Sequence, residues 1–141
     1  MSELDILLKL SLACIFGGLI GYLREKEKKA AGLRTHILVC LGAALFTLVS
    51  LYMGEIFPSA DAARIAANVV LGIGFIGAGT IIRGEGGGIV GITTAASIWI
   101  TAAIGLALGI DFYFAASLGT LFTIIVLKFL GQIEKKYIRG E

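Results

Sequence analysis

Apolar residues in this chain come in long unbroken runs, separated by short charged or glycine-rich breaks. A hydrocarbon core of ~30 Å is crossed by about 20 helical residues at ~1.5 Å each. That length places spans at residues 6–23, 35–56, 63–82, 89–108 and 112–130. A closed barrel would instead show strands of about ten residues alternating polar with apolar, so the pattern predicts helices. Pro58 falls between the second and third runs, where its missing amide hydrogen interrupts no helix. Gly109-Ile110-Asp111 leaves almost no loop between the fourth and fifth, which predicts a tight antiparallel hairpin.

Composition agrees: of 141 residues, 57% are hydrophobic and 16% charged, against ~25% charged in soluble domains, and the mean hydropathy is +0.95. The expected fold is an all-α polytopic membrane protein, a five-helix transmembrane bundle, with residues 1–131 forming the membrane domain and 132–141 a short cytoplasmic tail. Lysines and arginines concentrate on cytoplasmic loops. With the N-terminus outside and the C-terminus cytoplasmic, Arg24, Lys26, Lys28, Lys29, Arg34, Arg83, Lys128, Lys135, Lys136 and Arg139 lie inside, and only Lys9 and Arg64 outside. The acidic start Met1-Ser2-Glu3-Leu4-Asp5 lacks the basic region of a secretory signal, so the first span is expected to remain as a helix. In the run Arg24 to Lys29, the basic residues Arg24, Lys26, Lys28 and Lys29 read as an anchor on anionic lipid headgroups, at about 1 kcal/mol each. A partner-docking loop is the alternative. Cys14 and Cys40 fall inside spans and read as small apolar fillers.

Twenty glycines are the second feature. Membrane helices associate largely where small residues let backbones approach. Gly17 and Gly21 form one GxxxG, Gly105 and Gly109 another, and Ala115 with Gly119 and Gly74 with Ala78 are small-residue pairs. These faces predict tight packing within one bundle or a homodimer seam. Gly72, Gly74 and Gly77, with Gly79 just beyond, match G-x-G-x-x-G on paper, but the run lies in an apolar span and has neither the soluble strand before it nor the following acid that dinucleotide binding needs. Neither nucleotide nor nucleic acid is an expected partner. Four glycines in one span predict a helix that is closely crossed or locally bent.

Polar groups at membrane depth are the first place to look for function, because burying one unpaired is costly. Asn68 lies one turn from Arg64 in the third span; Arg34, Thr35 and His36 open the second. Thr93, Thr94, Ser97 and Thr101 follow one another along the fourth, where hydroxyls ordinarily bond to a carbonyl one turn back. Lys9, four residues after Asp5, is placed to snorkel or to pair with that acid. Glu3, Asp5, Glu55, Asp61 and Asp111 make the outer face acidic, a weak attractor for cations, yet no cluster of ligands defines a metal site. No cofactor is expected, and no catalytic constellation is present.

Four ordered motifs add a resemblance. Gly17-Gly18-Leu19-Ile20-Gly21-Tyr22-Leu23-Arg24-Glu25 comes first, then Ala31-Gly32-Leu33-Arg34-Thr35-His36 leading to Leu41-Gly42-Ala43-Ala44. Next comes Arg64-Ile65-Ala66-Ala67-Asn68, running into the glycine segment, and last Gly91-Ile92-Thr93-Thr94-Ala95-Ala96-Ser97-Ile98-Trp99. Over about residues 4–130 the chain closely resembles the MgtC/SapB family of bacterial and archaeal membrane proteins. The chain departs from the family at Leu23, Asn68, Leu71 and Val90, where glutamate, glutamine, serine and arginine are frequent, so roles tied to those side chains are not carried over. Many members bear an ACT-like C-terminal domain, and the expectation for these 141 residues is the transmembrane domain without it. The resemblance implies a multi-pass protein of the inner (plasma) membrane connected with magnesium limitation and, in pathogens, with survival inside host cells. In the virulence branch the proposed action is regulation of the proton-driven ATP synthase, which makes such a complex, besides membrane lipids and a second copy, an expected kind of partner. The expected function is non-enzymatic modulation of magnesium or ion homeostasis through helix contacts. The alternative is a small ion or solute channel or transporter, with Arg34, His36, Arg64, Asn68 and Thr94 lining the route.

Overall fold

The computed structural model describes residues 1–57, 59, 61, 63–84 and 87–133. Pro58 and residues 134–141 of the expected tail lie outside the described residues. Helix α1 spans Glu3–Lys26; the Ser2 hydroxyl accepts from the Asp5 amide at 3.2 Å, and Glu3 and Asp5 stand in the first turn with Arg24 and Lys26 in the last. That charge order complements the helix dipole at both ends. Helix α2 spans Leu33–Ile56. Its first amide, Leu33, donates to the Glu25 carboxylate at 3.0 Å, so the charged loop supplies the cap that Gly32 lacks.

Helix α3 covers Ala63–Ala78, and Asp61 accepts from the Ala63 amide at 2.9 Å at its start. The run expected to continue to residue 82 stops four residues early. Strands β1, Ile82–Arg83, and β2, Ile89–Val90, pair antiparallel, Ile82 opposite Val90 and Arg83 opposite Ile89. Hydropathy counts these residues as membrane helix, but the pairing and the Gly84 amide to Gly88 carbonyl bond at 2.8 Å give the same backbone groups partners in a hairpin. Gly91 then adopts φ +97°, and a Cβ there would collide with the Thr80 carbonyl oxygen. This turn releases helix α4, Ile92–Gly109, so the fourth span starts three residues later than expected. Helix α5, Tyr113–Ile125, runs on through a π-helical turn, Val126–Leu130, and a last helical turn, Gly131–Ile133.

Among the described residues, four segments are long and apolar enough to cross a membrane: Glu3–Lys26, Leu33–Ile56, Ile92–Gly109 and Tyr113–Leu130. Helix α3, at 16 residues, reaches only about 24 Å at the usual rise. Helix α2 packs between α1 and α4, and α4 also meets α3 and α5. The main core gathers Ala13 and Ile20 of α1, Cys40 and Ala44 of α2, and Ile104 and Leu108 of α4, all buried. Helix α3 is the edge helix; only its Ile73 and Gly77 are buried.

Glycine seams hold α1, α2 and α4 together. A Cβ on Gly17 would meet the His36 carbonyl and Cys40; on Gly21, the Leu33 backbone; on Gly105, the Cys40 carbonyl and Ala43; on Gly109, Thr47. Both GxxxG faces are thus used inside the bundle. Gly77 makes ordinary contact with Ala95 at 3.4 Å, and Gly79 sits after the last residue of α3. Gly72 and Gly74 depart from the packing expectation: a Cβ on either meets nothing within 4 Å, because that side of α3 has no neighbour in the bundle.

Candidate functional site

Charge is buried at both ends of the bundle. At the end that carries the α4–α5 connection, Lys9 is only 1% exposed. Its Nζ lies 3.0 Å from Asp5 Oδ2, the expected partner one turn away, and 2.9 Å from Asp111 Oδ2. Asp111 adopts φ 64° in the tight connection and also accepts from the Tyr113 hydroxyl at 2.7 Å. Two of the five acids expected on the outer face therefore neutralise a lysine. The Lys9 and Tyr113 hydrogen bonds, in that order, hold the Asp111 carboxyl below the usual carboxylate range. A depressed carboxylate stabilises the fold above its unfolded pKa, ~3.9, and that contribution is lost as pH falls through the lower folded value. The melting temperature in detergent is accordingly expected to drop on acidification below about pH 4, and Asp111→Asn should flatten that drop.

At the opposite, hairpin end, Arg24 is 2% exposed. Arg24 is thus not a surface anchor like the neighbouring lysines: the close approach at Gly21 seats the end of α1 against the start of α2, and the guanidinium turns inward. Its Nη2 donates to Thr94 Oγ1 at 2.8 Å, its Nη1 lies 3.5 Å from Glu27, and its buried Nε has no hydrogen-bond partner among the described residues. Lys26, Lys28 and Lys29 are exposed, as a surface anchor requires.

His36 is fully buried. Its Nδ1 stands 2.8 Å from the Gly32 carbonyl and its Nε2 3.1 Å from Ser97 Oγ. A carbonyl only accepts, so Nδ1 carries hydrogen. The Ser97 hydroxyl has one hydrogen to divide between Nε2 and the Thr94 carbonyl, 2.8 Å away. Thr101 donates back to the Ser97 carbonyl at 2.7 Å, as expected of a helical hydroxyl, whereas the Thr94 oxygen accepts from Arg24. Arg24, Thr94, Ser97 and His36 thus form one polar chain linking α1, α4 and α2.

The remaining candidates lie elsewhere. Arg34, Thr35 and Asn68 line a groove of about 810 Å3 between α2 and α3, whose other walls, such as Leu38, Phe46, Ile65 and Ile76, are apolar. Arg64 is exposed in the first turn of α3, and Thr93 is exposed at the start of α4. The route imagined for a conductor is therefore divided, with His36 and Thr94 in the buried chain and Arg34 and Asn68 in a lateral groove. Between the two charged ends, Ala13, Gly17, Cys40, Ala44, Gly105 and Leu108 close the middle of the bundle with apolar contacts. Among the described residues no group of three or more His, Cys, Asp or Glu is placed to hold a metal ion. Sequence reasoning missed the inward turn of Arg24 and the Lys9–Asp111 pair. The available signals were a lone charge in the tightest connection and an arginine three residues beyond a GxxxG.

Membrane-length helices, a shorter edge helix and charges sequestered at both ends define a polytopic helical membrane protein. The model of the MgtC family matches residues 10–136, and the chain belongs to that family. It is 44% identical over 135 residues to YhiD of Escherichia coli (strain K12), whose name describes a putative magnesium transporter, covering 92% of this chain and 62% of that protein. It is 40% identical over 137 residues to the protein SapB of Bacillus subtilis (strain 168), covering 94% and 59%. To the protein MgtC of Brucella abortus (strain 2308) it is 44% identical over 115 residues, covering 81% and 46%. The chain thus spans at most 62% of the length of these relatives. No solved structure matches it significantly.

Proposed function

We propose that the chain is a non-enzymatic modulator of magnesium or ion homeostasis in the inner (plasma) membrane, with its N-terminus outside and its C-terminus cytoplasmic, acting through helix contacts. The carrying observation is the closely packed middle of the bundle: charged groups at each end are separated by packed apolar side chains and glycine-to-backbone contacts. The hydroxyls buried along that stretch, such as Thr47, Thr101 and Thr120, donate to carbonyls of their own helices, so they form no continuous polar lining to replace the water of a hydrated ion. Helix α3 supports the same reading, since it is held on one side alone and leaves Leu71, Gly72, Gly74 and Phe75 exposed. By family resemblance the contacted complex is a membrane machine such as the ATP synthase.

A transporter is the second reading, favoured by the name of the YhiD relative and by the groove holding Arg34 and Asn68. Reconstituting the pure chain in liposomes and measuring Mg2+, K+ and H+ flux decides between them. The modulator reading expects rates no higher than protein-free vesicles, unchanged by Arg34→Ala or Asn68→Ala. Selective flux that those substitutions abolish would replace it with the transporter.

A further inference from the structure

A cavity of about 570 Å3 opens at the hairpin end, outside the α2–α3 groove. Its walls come from the end of α1, the two strands, the start of α4 and the π-helical turn. Arg24, Lys28, Lys29 and Lys128 line it, with Glu27 as the single acid among the described lining residues. The lining also includes Ile92, Thr93 and Thr94, the first three residues of α4. Their amides precede the first helical bond, which runs from the Ala95 amide to the Gly91 carbonyl at 2.9 Å, and no side chain caps this end. A long helix therefore presents uncapped amides and the positive end of its dipole to the cavity.

A helix start alone defines no ligand, but Arg24 adds an independent sign. The residue is 2% exposed and lines this space, and its Nε lacks a partner among the described residues. A buried donor left unmade is costly, and its cost is recovered if an oxyanion completes the guanidinium fork. Thr94 orients that fork through Nη2, and Glu27, at 3.5 Å from Nη1, offsets one charge of four.

We propose that this cavity binds a phosphate oxyanion, supplied either as free phosphate or as the headgroup of an anionic phospholipid. Tetrahedral phosphate offers acceptors in several directions, which suits a planar arginine, flexible lysines and backbone amides converging from different elements. The rim is apolar, with Ile82, Ile89 and Val90 exposed beside it, so acyl chains as well as solvent can border the site. The inference stands apart from the modulator reading: liposome flux reports conduction, whereas the assays below report binding.

Two probes separate the sources. Inorganic phosphate is titrated calorimetrically into the full chain in a neutral detergent. In parallel, native mass spectrometry measures retention of phosphatidylglycerol against phosphatidylcholine after release from nanodiscs. One-to-one binding of at least one probe is expected, weakening as ionic strength rises. Lys28→Ala/Lys29→Ala, at exposed positions, should weaken it about 30-fold, the product of two basic residues at their usual worth. Arg24→Gln should abolish it, and if that variant does not fold, the double-lysine variant, checked for unchanged circular dichroism, still decides. Lipid retention without phosphate binding assigns the site to a headgroup; the converse assigns it to the free ion. Absence of both, or binding that the double variant leaves unchanged, overturns the proposal.

Discussion

Gly105→Ala should lower the stability of the folded bundle by roughly 2 kcal/mol, although alanine is the better helix former. The propensity gain is worth about 1 kcal/mol. Against it stands the space: the new methyl would overlap the Cys40 carbonyl and lie 2.9 Å from the Ala43 Cβ. Overpacking a closed interior costs about 1–3 kcal/mol when a side chain can yield. Here the nearest atom is backbone in the middle of α2, so the upper part of that range applies and α2 must move away from α4. Gly72→Ala and Gly74→Ala provide the opposite case, since nothing stands within 4 Å of either added methyl. Those two should leave stability equal or raise it by up to about 1 kcal/mol. Thermal or SDS unfolding in detergent, followed by circular dichroism, reads the difference. If Gly105→Ala unfolds no earlier than wild type, the α2–α4 seam is not as tight as described.

The second large effect is expected at the Lys9–Asp111 end of the bundle, and its size depends on which partner is removed. Asp5→Asn together with Asp111→Asn leaves the Lys9 ammonium 1% exposed with no counter-charge within reach. Breaking a buried pair this way costs about 3–5 kcal/mol. Because the carboxylates are 30% and 57% exposed, water already shares the pair and roughly 3 kcal/mol, the low end, is the expected loss. Lys9→Met removes the charge that is hard to bury and leaves two carboxylates that water can reach. Its cost should be below about 1.5 kcal/mol, as for a swap that conserves volume. Unfolding of the double-asparagine and the methionine variants under the same conditions compares them directly. Equal losses would show that the ion pair contributes no more than the packing of the lysine stem.

These two cases also mark how much was legible beforehand. The spans of α1 and α2 follow from length alone, since a continuous apolar run in lipid has only a helix to satisfy its backbone. The third run misled because hydropathy gives Ile81, Ile82, Ile89 and Val90 the same weight in a hairpin as in a helix. Their strand pairing depends on the turn at Gly84–Gly88 and on the backward bend at Gly91, both matters of backbone angle. Lys9 with Asp5 was readable because helical neighbours four apart share a face. Asp111 is 102 residues away, and only the fold of α4 and α5 onto α1 brings it there.

Glycines state the division most plainly. Gly17, Gly105, Gly72 and Gly74 all sit in apolar runs, yet the first two touch a neighbouring backbone and the last two face open space. A sequence read one helix at a time records where close approach is allowed, while its occurrence depends on which helix arrives there. By itself, then, the sequence determined the medium, the helical class, most span positions and, through its ordered motifs, the family. The tertiary structure alone decided that α3 lies at the edge, that Arg24 turns inward to Thr94 beside the start of α4, and that Lys9 meets Asp111. The physical reason is that hydrophobicity and helix period act along the chain, whereas burial, close contact and charge pairing are set by residues far apart in it.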